Sequence, residues 1–276
     1  MRFLGNKTRL LEKIEYVINE NNIQGEIFCD LFSGSSSVGD YFKDRFKIIA
    51  NDYMHCLGVF AKGKLMFNDI PKFEMFNRKY GVSPFEYLNN KEYEFNQQYF
   101  ITKNYSPKGD RQFFTKENAL KIDGMRIEIE SLYKDKSLSE NEYYFMLASL
   151  LESVMGISNT TGTYEAFLKK WDRRALKDFE IIPLEFNHTS LYGENRVFNK
   201  DSNALIREIE GDVLYIDPPY TITNYSSAYH LLESISKYDY PEIRGITGRR
   251  VNRQEKSRYT RKDEALINFE DLLRQA

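Results

Sequence analysis

The stretch that most constrains the fold covers residues 211–220, with the sequence GDVLYIDPPY. Its apolar run VLYI stands between turn residues, which predicts a buried strand of an α/β sheet. Two consecutive prolines cannot donate ladder hydrogen bonds, so we expect the strand to end where Pro218 begins. The sequence therefore predicts that Asp217 and Tyr220 lie at the carboxyl end of a central strand, the edge where open α/β sheets bind ligands.

The residues at this strand end suit the activation of an amino group on a nucleobase. Such an amine is a poor nucleophile because its lone pair is delocalised into the ring. Asp217 and the carbonyl of Pro218 can both accept hydrogen bonds from the amine, with Pro219 fixing their geometry, and Tyr220 offers a ring on which a base can stack. The alternative interpretation is a strand end closed by a Pro-Pro turn with a packed tyrosine.

A small-residue loop follows an earlier predicted strand. Residues 26–32 (EIFCDLF) predict the strand, residues 33–39 (SGSSSVG) the loop, and a helix follows. In this arrangement a ligand can reach backbone N–H groups at the start of a helix. No Gly-Lys-Ser/Thr closes the loop, so it is not a phosphate-binding P-loop, and Ser36 stands where the dinucleotide pattern has a second glycine.

Together with the small-residue loop, an acid after the second strand favours a ligand that contains a nucleoside, and the N-terminal segment offers a further candidate site. A second strand, predicted at residues 46–50, ends near Asp52, which is placed to bind ribose hydroxyls. The alternative for Asp52 is a helix N-cap. Before a predicted helix at residues 8–20, Gly5 permits close backbone approach and Lys7 offers a cation. An ordinary loop with a solvated lysine is the alternative there.

The middle of the chain departs from this alternation of strands and helices. Residues 66–110 are polar and aromatic with turn signals, and helical patterns cover residues 116–133 and 142–155. Strand-like runs return at residues 181–186 and 196–198. After the second run, Asp201 either touches a cofactor or caps a predicted helix at residues 203–209.

Two groups of basic residues are candidates for contact with nucleic acid. The first surrounds the single tryptophan and the second lies between residues 244 and 262. For both, a solvated surface is an equally good interpretation. The candidate DNA-binding residues are Lys169, Lys170 and Arg173 in the first group and Arg249, Arg250 and Arg253 in the second.

Composition excludes several other classes. The 276 residues carry a net charge of −2, so any nucleic-acid binding must rest on local patches rather than on an overall basic balance. No apolar run approaches the roughly 18 residues of a membrane span. Two cysteines and three scattered histidines suggest neither a disulfide nor a metal site, and a reducing cytoplasm fits.

Taken in order, these motifs resemble the N6-adenine DNA methyltransferases of the Dam-like alpha group, which occur in restriction–modification systems. The resemblance covers most of the chain, and residues 159–171 resemble a stretch typical of one branch. It implies S-adenosylmethionine as cofactor and Asp217, Pro218, Pro219 and Tyr220 as the catalytic tetrapeptide. The cofactor contacts that it implies are Phe3, Gly5, Asn6, Lys7, Asp30, Phe32, Ser33, Gly34, Ser36, Asp52, Tyr53, Asp201 and Ser202.

The resemblance also implies a division of the chain. We expect a Rossmann-like methyltransferase fold formed by residues 1–62 and 175–276, with a mostly helical target-recognition insertion at residues 63–174. The family's sheet normally continues beyond the helix predicted at residues 265–273, so we expect the C-terminal strands to be missing. A fragment, or a second chain that completes the sheet, would account for this. A cognate restriction endonuclease is a further expected partner, and no membrane partner is expected.

The expected reaction is methyl transfer to N6 of adenine in a specific duplex DNA sequence, with the base flipped out of the stack. Three alternatives stay open at this point. One is methylation of RNA or of a protein glutamine by the same amine chemistry. The second is an inactive or partner-dependent fragment that binds only DNA or cofactor. A purely structural protein fits the ordered motifs poorly.

Overall fold

The computed structural model describes residues 3–189, 194–220, 223–252 and 257–276. These residues form two compact units. The sheet unit consists of the described residues of Phe3–Asp69, Glu185–Tyr225 and Gln254–Ala276, and the helical unit of those of Ile70–Leu184 and Ser226–Arg253. This division does not show which residues recognise DNA. The target-recognition insertion at residues 63–174 therefore stays a prediction.

Strands and helices alternate in the sheet unit, whereas the helical unit contains a single small hairpin. The strands are β1 (Ile27–Asp30), β2 (Lys47–Asn51), β3 (Arg196–Phe198), β4 (Val213–Tyr215), β5 (Ile243–Arg244) and β6 (Arg249–Arg250). The helices are α1 (Leu11–Glu20), α2 (Ser37–Phe42), α3 (His55–Leu65), α4 (Glu74–Tyr80), α5 (Pro84–Asn90), α6 (Phe100–Asn104), α7 (Lys116–Lys134), α8 (Glu140–Ile157), α9 (Ser202–Leu205), α10 (Tyr225–Ala228), α11 (His230–Lys237) and α12 (Ala265–Gln275). Short 3₁₀ turns lie at Thr8–Leu10, Pro107–Gly109 and Arg258–Thr260.

The sheet unit is an α/β fold with a parallel sheet. Its strands lie in the order β3-β2-β1-β4, and every described pair is parallel. Side chains alternate between two hydrophobic clusters, as the period of a strand requires. Phe28 and Val213 pack in one cluster with residues of α1, α2 and α3, and Leu31 and Leu214 lie in the other with residues of α9 and α12. Helices thus cover both faces of the sheet.

Strand β4 ends at Tyr215, before the two prolines, as the sequence predicts. It pairs with β1, and no described strand lies on its other side. The prediction that it is a central strand is therefore not confirmed within the described residues. The expectation that the family's C-terminal strands are missing stays a prediction, as does the role of the inserted region.

The helical unit confirms the two long helices and corrects the prediction for the segment before them. The side chains of Thr115 and Ser139 cap α7 and α8, and Ser139 forms a capping box with Glu142. Three short helices, α4 to α6, lie in the segment that was predicted to be rich in turns. Residues 167–174, which include the single tryptophan, form neither a helix nor a strand. None of the helices in the described part of the chain is long and apolar enough to cross a lipid bilayer.

The strand predicted at residues 181–186 is absent, and the reason lies in its hydrogen bonds. The backbone N–H of Ile181 donates to the side chain of Asn89 (2.9 Å), and that of Ile182 donates to the hydroxyl of Ser153 (3.0 Å). The N–H of Leu184 donates to the hydroxyl of Ser149 (3.0 Å). Because side chains from α5 and α8 satisfy these donors, an extended apolar segment is buried here without a neighbouring strand.

Candidate functional site

The carboxyl ends of β1, β2 and β4 meet at one edge of the sheet unit, and Asn51 ties the loops there together. This buried side chain donates to the carbonyl oxygens of Leu31 (3.2 Å) and Lys200 (3.1 Å) and to the hydroxyl of Ser202 (3.3 Å). Its own oxygen accepts from the N–H of Lys200 (3.0 Å). The loops that carry the predicted site residues are therefore held by a side chain whose role the sequence did not reveal.

The loop after β1 has a conformation that favours glycine. Gly34 and Ser36 both have positive φ angles, +50° and +56°. The N–H of Gly34 donates to Oδ2 of Asp52 (3.0 Å), while Oδ1 of Asp52 accepts from the N–H of Met54 (3.1 Å). The buried Lys64 donates to the carbonyl of Ser35 (3.1 Å). Asp52 thus holds the backbone of this loop through the hydrogen bond from Gly34.

Three buried polar side chains in and before this loop lack hydrogen-bond partners among the described residues. They are the carboxylate of Asp30, which is 1% exposed, and the hydroxyls of Ser33 and Ser36. Burial raises the pKa of Asp30 to about 8, and the charges of Asp52 and Asp217 add to the shift. Buried polar atoms are rarely left unsatisfied, so this group of atoms indicates a polar ligand.

Asp217 forms an ion pair with Lys7 at the end of β4. Lys7 Nζ lies 2.7 Å from Asp217 Oδ2, and the two side chains are 13% and 25% exposed. Partial burial acts to lower the pKa of Lys7, but the hydrogen bond and charge of Asp217 outweigh it, and the pKa is raised. The same Nζ lies 5.5 Å from the ring centroid of Tyr220, whose side chain is 72% exposed. A carboxylate, a cation and an open aromatic face are thus adjacent.

The N-terminal loop packs against Tyr225. The rings of Phe3 and Tyr225 are stacked with centroids 6.4 Å apart. Gly5 has a φ of +76°, and a Cβ atom there would lie 3.2 Å from the hydroxyl oxygen of Tyr225. The side chain of Asn6 accepts from the N–H of Thr8 (2.8 Å) and so caps the first helical turn. Tyr225 is the first residue of α10, and no local sequence signal identified its contact with Gly5.

The other predicted cofactor residues differ in their surroundings. Asp201 accepts from the N–H of Ala204 (3.1 Å), so it caps α9, which was the alternative interpretation. Ser202 donates to the carbonyl of Leu31 (3.0 Å) and holds the sheet edge together. The ring of Phe32 packs edge-on against that of Tyr259 (5.1 Å), a contact that the sequence did not reveal. Tyr53 and Asp201 are exposed.

The basic candidates, by contrast, do not share one environment. Lys169, Lys170 and Arg173 are exposed. Arg249 lies 3.5 Å from Glu165 and keeps part of its side chain exposed. Arg250 is 6% exposed, and both of its terminal nitrogens contact the carboxylate of Asp239 (2.8 and 2.6 Å). The structure therefore gives Arg250 a structural ion pair in place of a DNA contact. Arg253 lies outside the described residues.

The edge of the sheet unit can hold a ligand with a cation, hydroxyl groups and a flat ring. Asp30 offers a buried carboxyl that a cation would stabilise, Asp52 and the serine hydroxyls offer acceptors, and Tyr220 offers a ring face. No cluster of three or more histidine, cysteine, aspartate or glutamate side chains suited to a metal ion occurs in the described part of the chain.

Comparison with known proteins connects this geometry to a family. Residues 3–274 match the family model of the D12 class N6 adenine-specific DNA methyltransferases. The chain is 53% identical over its full length to modification methylase LlaI of Lactococcus lactis subsp. lactis, covering 44% of that protein. It is 41% identical, again over its full length, to the type II methyltransferase M.FokI of Planomicrobium okeanokoites, covering 43% of it.

The chain thus spans less than half the length of these two relatives. It covers 80% of a third, the type II methyltransferase M.NlaIII of Neisseria lactamica, with 35% identity. No solved structure matches the chain significantly. The match to the family model extends over nearly the whole sequence and includes both the loop after β1 and the tetrapeptide after β4. The chain belongs to the D12 class of N6 adenine-specific DNA methyltransferases.

Proposed function

We propose that this chain transfers the methyl group of S-adenosylmethionine to N6 of adenine in a specific sequence of duplex DNA. The observation that carries the proposal is the position of Asp217. Its carboxylate follows β4 directly, is paired with Lys7, and lies at the same sheet edge as the loop that contains unsatisfied polar atoms. The relatives named modification methylases support the same reaction.

The sheet edge fits the proposed cofactor. The acid Asp52 already accepts two backbone N–H groups, but a carboxylate has about four acceptor positions, so ribose hydroxyls can share it. The unsatisfied hydroxyls of Ser33 and Ser36 and the carboxyl of Asp30 are polar atoms that a bound ligand would satisfy. When bound, S-adenosylmethionine supplies a methyl group that its sulfonium already activates.

The residues after β4 would hold the target base. A flipped adenine would stack on the exposed ring of Tyr220, a contact that contributes about 1–3 kcal/mol. Because Lys7 contacts Oδ2 of Asp217, we assign Oδ1 and the carbonyl oxygen of Pro218 as acceptors for the two N6–H bonds. Pro219 limits the backbone freedom of the turn. This hydrogen bonding favours a more tetrahedral N6 and directs its lone pair.

Asp217 would also receive the proton that N6 loses after the transfer. We then expect the proton to pass on to water. The partial exposure of Asp217 allows this. Positioning of the amine and exclusion of water from the methyl donor then provide most of the rate enhancement.

Duplex DNA is the proposed substrate, and its sequence-independent contacts would come from the helical unit. We assign phosphate contacts to Lys169, Lys170, Arg173 and Arg249 on the basis of their charge and exposure. A cognate restriction endonuclease is a proposed functional partner. A further segment or a second chain that pairs with the free side of β4 would complete the sheet.

The decisive experiment measures transfer of tritiated methyl groups to adenine-containing duplexes together with cofactor affinity. Asp217→Ala is expected to abolish transfer and to leave cofactor affinity within a few-fold, because Asp217 contacts the base rather than the donor. Asp212→Asn is the matched control: Asp212 lies at the opposite end of the same strand, where it accepts from the N–H groups of Glu26 and Ile27.

Three results would contradict the proposal. Equal loss of transfer and of cofactor affinity in Asp217→Ala would make Asp217 a structural residue. Absence of label in every duplex, with the cofactor still bound by the unaltered chain, would favour a binding module without activity. Label in RNA or in a protein but not in duplex DNA would redirect the same chemistry to another substrate.

A further inference from the structure

The loop between β5 and β6 in the helical unit is fixed by hydrogen bonds from Arg111. The loop covers residues 245–248 and is closed by a bond from the N–H of Gly248 to the carbonyl of Gly245 (3.1 Å). Arg111 Nε donates to the carbonyl of Ile246 (3.0 Å), and its Nη2 donates to that of Gly245 (3.1 Å). One guanidinium therefore binds two of the four loop carbonyls.

The guanidinium of Arg111 is itself anchored, and a second side chain holds the loop. Its Nη1 donates to the carbonyls of Asn104 (3.0 Å) and Gly109 (3.2 Å). The buried hydroxyl of Tyr105 donates to the carbonyl of Gly248 (2.6 Å). A Cβ atom at Gly248 would lie 2.9 Å from atoms of both Arg111 and Tyr105, so only glycine fits. The loop has its shape before any partner binds.

This fixed loop presents an apolar side chain to solvent. Ile246 is 84% exposed, the highest value among the large exposed hydrophobic residues in the described part of the chain. Its backbone carbonyl is bound by Arg111, which holds the backbone of Ile246 and therefore the direction of its Cα–Cβ bond. An apolar group held outward at the tip of a rigid hairpin is suited to contact with a partner.

The strands next to the loop carry cations. Arg244 is mostly exposed, with its nearest carboxylate, that of Glu242, 3.5 Å away and equally exposed. Arg249 extends from the other strand toward Glu165. A partner that fits this surface has negative charges on both sides, which attract the arginines. It also has an apolar group between those charges, which contacts Ile246. The major groove of duplex DNA has this combination, since thymine places a methyl group between the phosphate strands.

We propose that the β5–β6 hairpin enters the major groove and that Ile246 packs against the methyl group of a thymine in the recognition sequence. The proposal rests on the proposed function, in that it takes duplex DNA as the substrate. A two-stranded ribbon has the width that the major groove admits. Any duplex site that contains a target adenine also contains the thymine that pairs with it. Ile246 is then a specificity-determining residue, and Arg111 is the residue that positions it.

The test compares thymine with deoxyuridine, which lacks only the methyl group. Duplexes retained by the chain from a random pool define its site, and each thymine of that site is then replaced singly. We expect one replacement to weaken binding about fourfold, the equivalent of about 0.8 kcal/mol for one buried CH₂-sized group. Ile246→Ala is expected to bind the thymine and deoxyuridine duplexes equally, because the contact is already lost.

Ile182→Ala is the matched control, since Ile182 is also an exposed isoleucine of the helical unit (55%). It is expected to discriminate as the unaltered chain does. Two results would overturn the proposal: no thymine whose replacement weakens binding, or discrimination that persists in Ile246→Ala. A third result would also overturn it: Ile246→Ala binds both duplexes equally more weakly than the unaltered chain does, and the unaltered chain does not distinguish thymine from deoxyuridine. That result would indicate insertion of Ile246 between base pairs.

Methyl transfer measured in the same samples separates this proposal from the proposed function. If the chain methylates adenine but the effect of a thymine methyl group on binding does not depend on Ile246, only the inference about the hairpin fails. A chain that retains no duplex from the pool and labels no adenine would remove the proposed function, and the inference would fall with it.

Discussion

Replacement of Lys7 by methionine separates two roles for the N-terminal loop. The resemblance to the family assigns Lys7 to the cofactor, whereas in the structure its ammonium group lies 2.7 Å from Asp217. If Lys7 acts through Asp217, Lys7→Met removes the partner that orients the carboxylate and leaves the cofactor loop unchanged. We then expect a lower rate of transfer at saturating cofactor, with cofactor affinity nearly unaltered.

The size of the effect follows from the geometry of the ion pair. A hydrogen bond between charged groups contributes about 1.5–3 kcal/mol. The two side chains are 13% and 25% exposed, so water screens part of their interaction, and we take a contribution of about 1–2 kcal/mol. If the orientation of Asp217 is needed in the transition state, this loss corresponds to a rate lower by about 5- to 30-fold.

The assay is single-turnover methyl transfer at saturating DNA and cofactor, combined with calorimetric affinity for S-adenosylhomocysteine. Lys13→Met is the matched control, since Lys13 is exposed on α1. The raised pKa of Lys7 means that its share of the stability is fully present below 10.5 and is lost only as the pH rises through the higher folded value. The ratio of the transfer rate of the unaltered chain to that of Lys7→Met should therefore stay constant between about pH 6 and 9.

One pattern of results would refute this reasoning. If Lys7→Met lowers cofactor affinity by 5- to 30-fold and transfers at the normal rate once the cofactor is saturating, Lys7 serves the cofactor, and its contact with Asp217 has no part in catalysis. A double-mutant cycle with Asp217→Asn provides a second check. The two substitutions should be strongly non-additive in rate if the pair acts as a unit.

Three further predictions follow from buried groups and surface charges. The raised pKa of Asp30 (about 8, against 3.8) means that the folded chain holds a proton that the unfolded chain releases. The free energy of unfolding should therefore fall between pH 4 and 8 by up to about 1.4 kcal/mol per pH unit, and urea titrations should show a smaller slope in Asp30→Asn. Ser36→Gly relieves a positive φ and should change the free energy of unfolding by about 0–1 kcal/mol in the stabilising direction, while cofactor affinity measured by calorimetry should fall because the hydroxyl assigned to the ligand is removed. Arg250→Ala should lower the thermal midpoint but leave the salt dependence of DNA binding unchanged. Replacing both Lys169 and Lys170 by glutamine should instead reduce the log–log salt slope by about 2.

The sheet edge could be predicted from the sequence because its signals are local. Each of β1, β2 and β4 is a short apolar run that ends in small, acidic or proline residues. Asp52 and Asp217 were each expected at the end of a strand, and the carboxyl ends of parallel strands meet at one edge of the sheet. The long helices α7 and α8 were predictable for the same reason, since spacing and capping residues lie within the helices themselves.

The partners of individual side chains could not be predicted in this way. Asn51 contacts Ser202, which is 151 residues further along the chain, and no local pattern encodes that contact. The apolar run near residue 181 resembles a strand by composition, yet Asn89 and Ser153 take its backbone donors. Local composition predicts that a segment is buried and extended, but the surrounding fold determines which groups satisfy its hydrogen bonds.

The neighbouring residues Arg249 and Arg250 show why a run of charges is a poor guide to a binding surface. In the sequence they are equivalent members of one basic segment. In the β6 strand successive side chains point to opposite faces, so Arg250 is buried against Asp239 while Arg249 remains partly exposed beside Glu165. Arg111 and Tyr105 hold the short hairpin whose tip carries Ile246, an apolar residue within a basic segment. A search for positive charge therefore does not identify Ile246, the residue that we expect to contact a base.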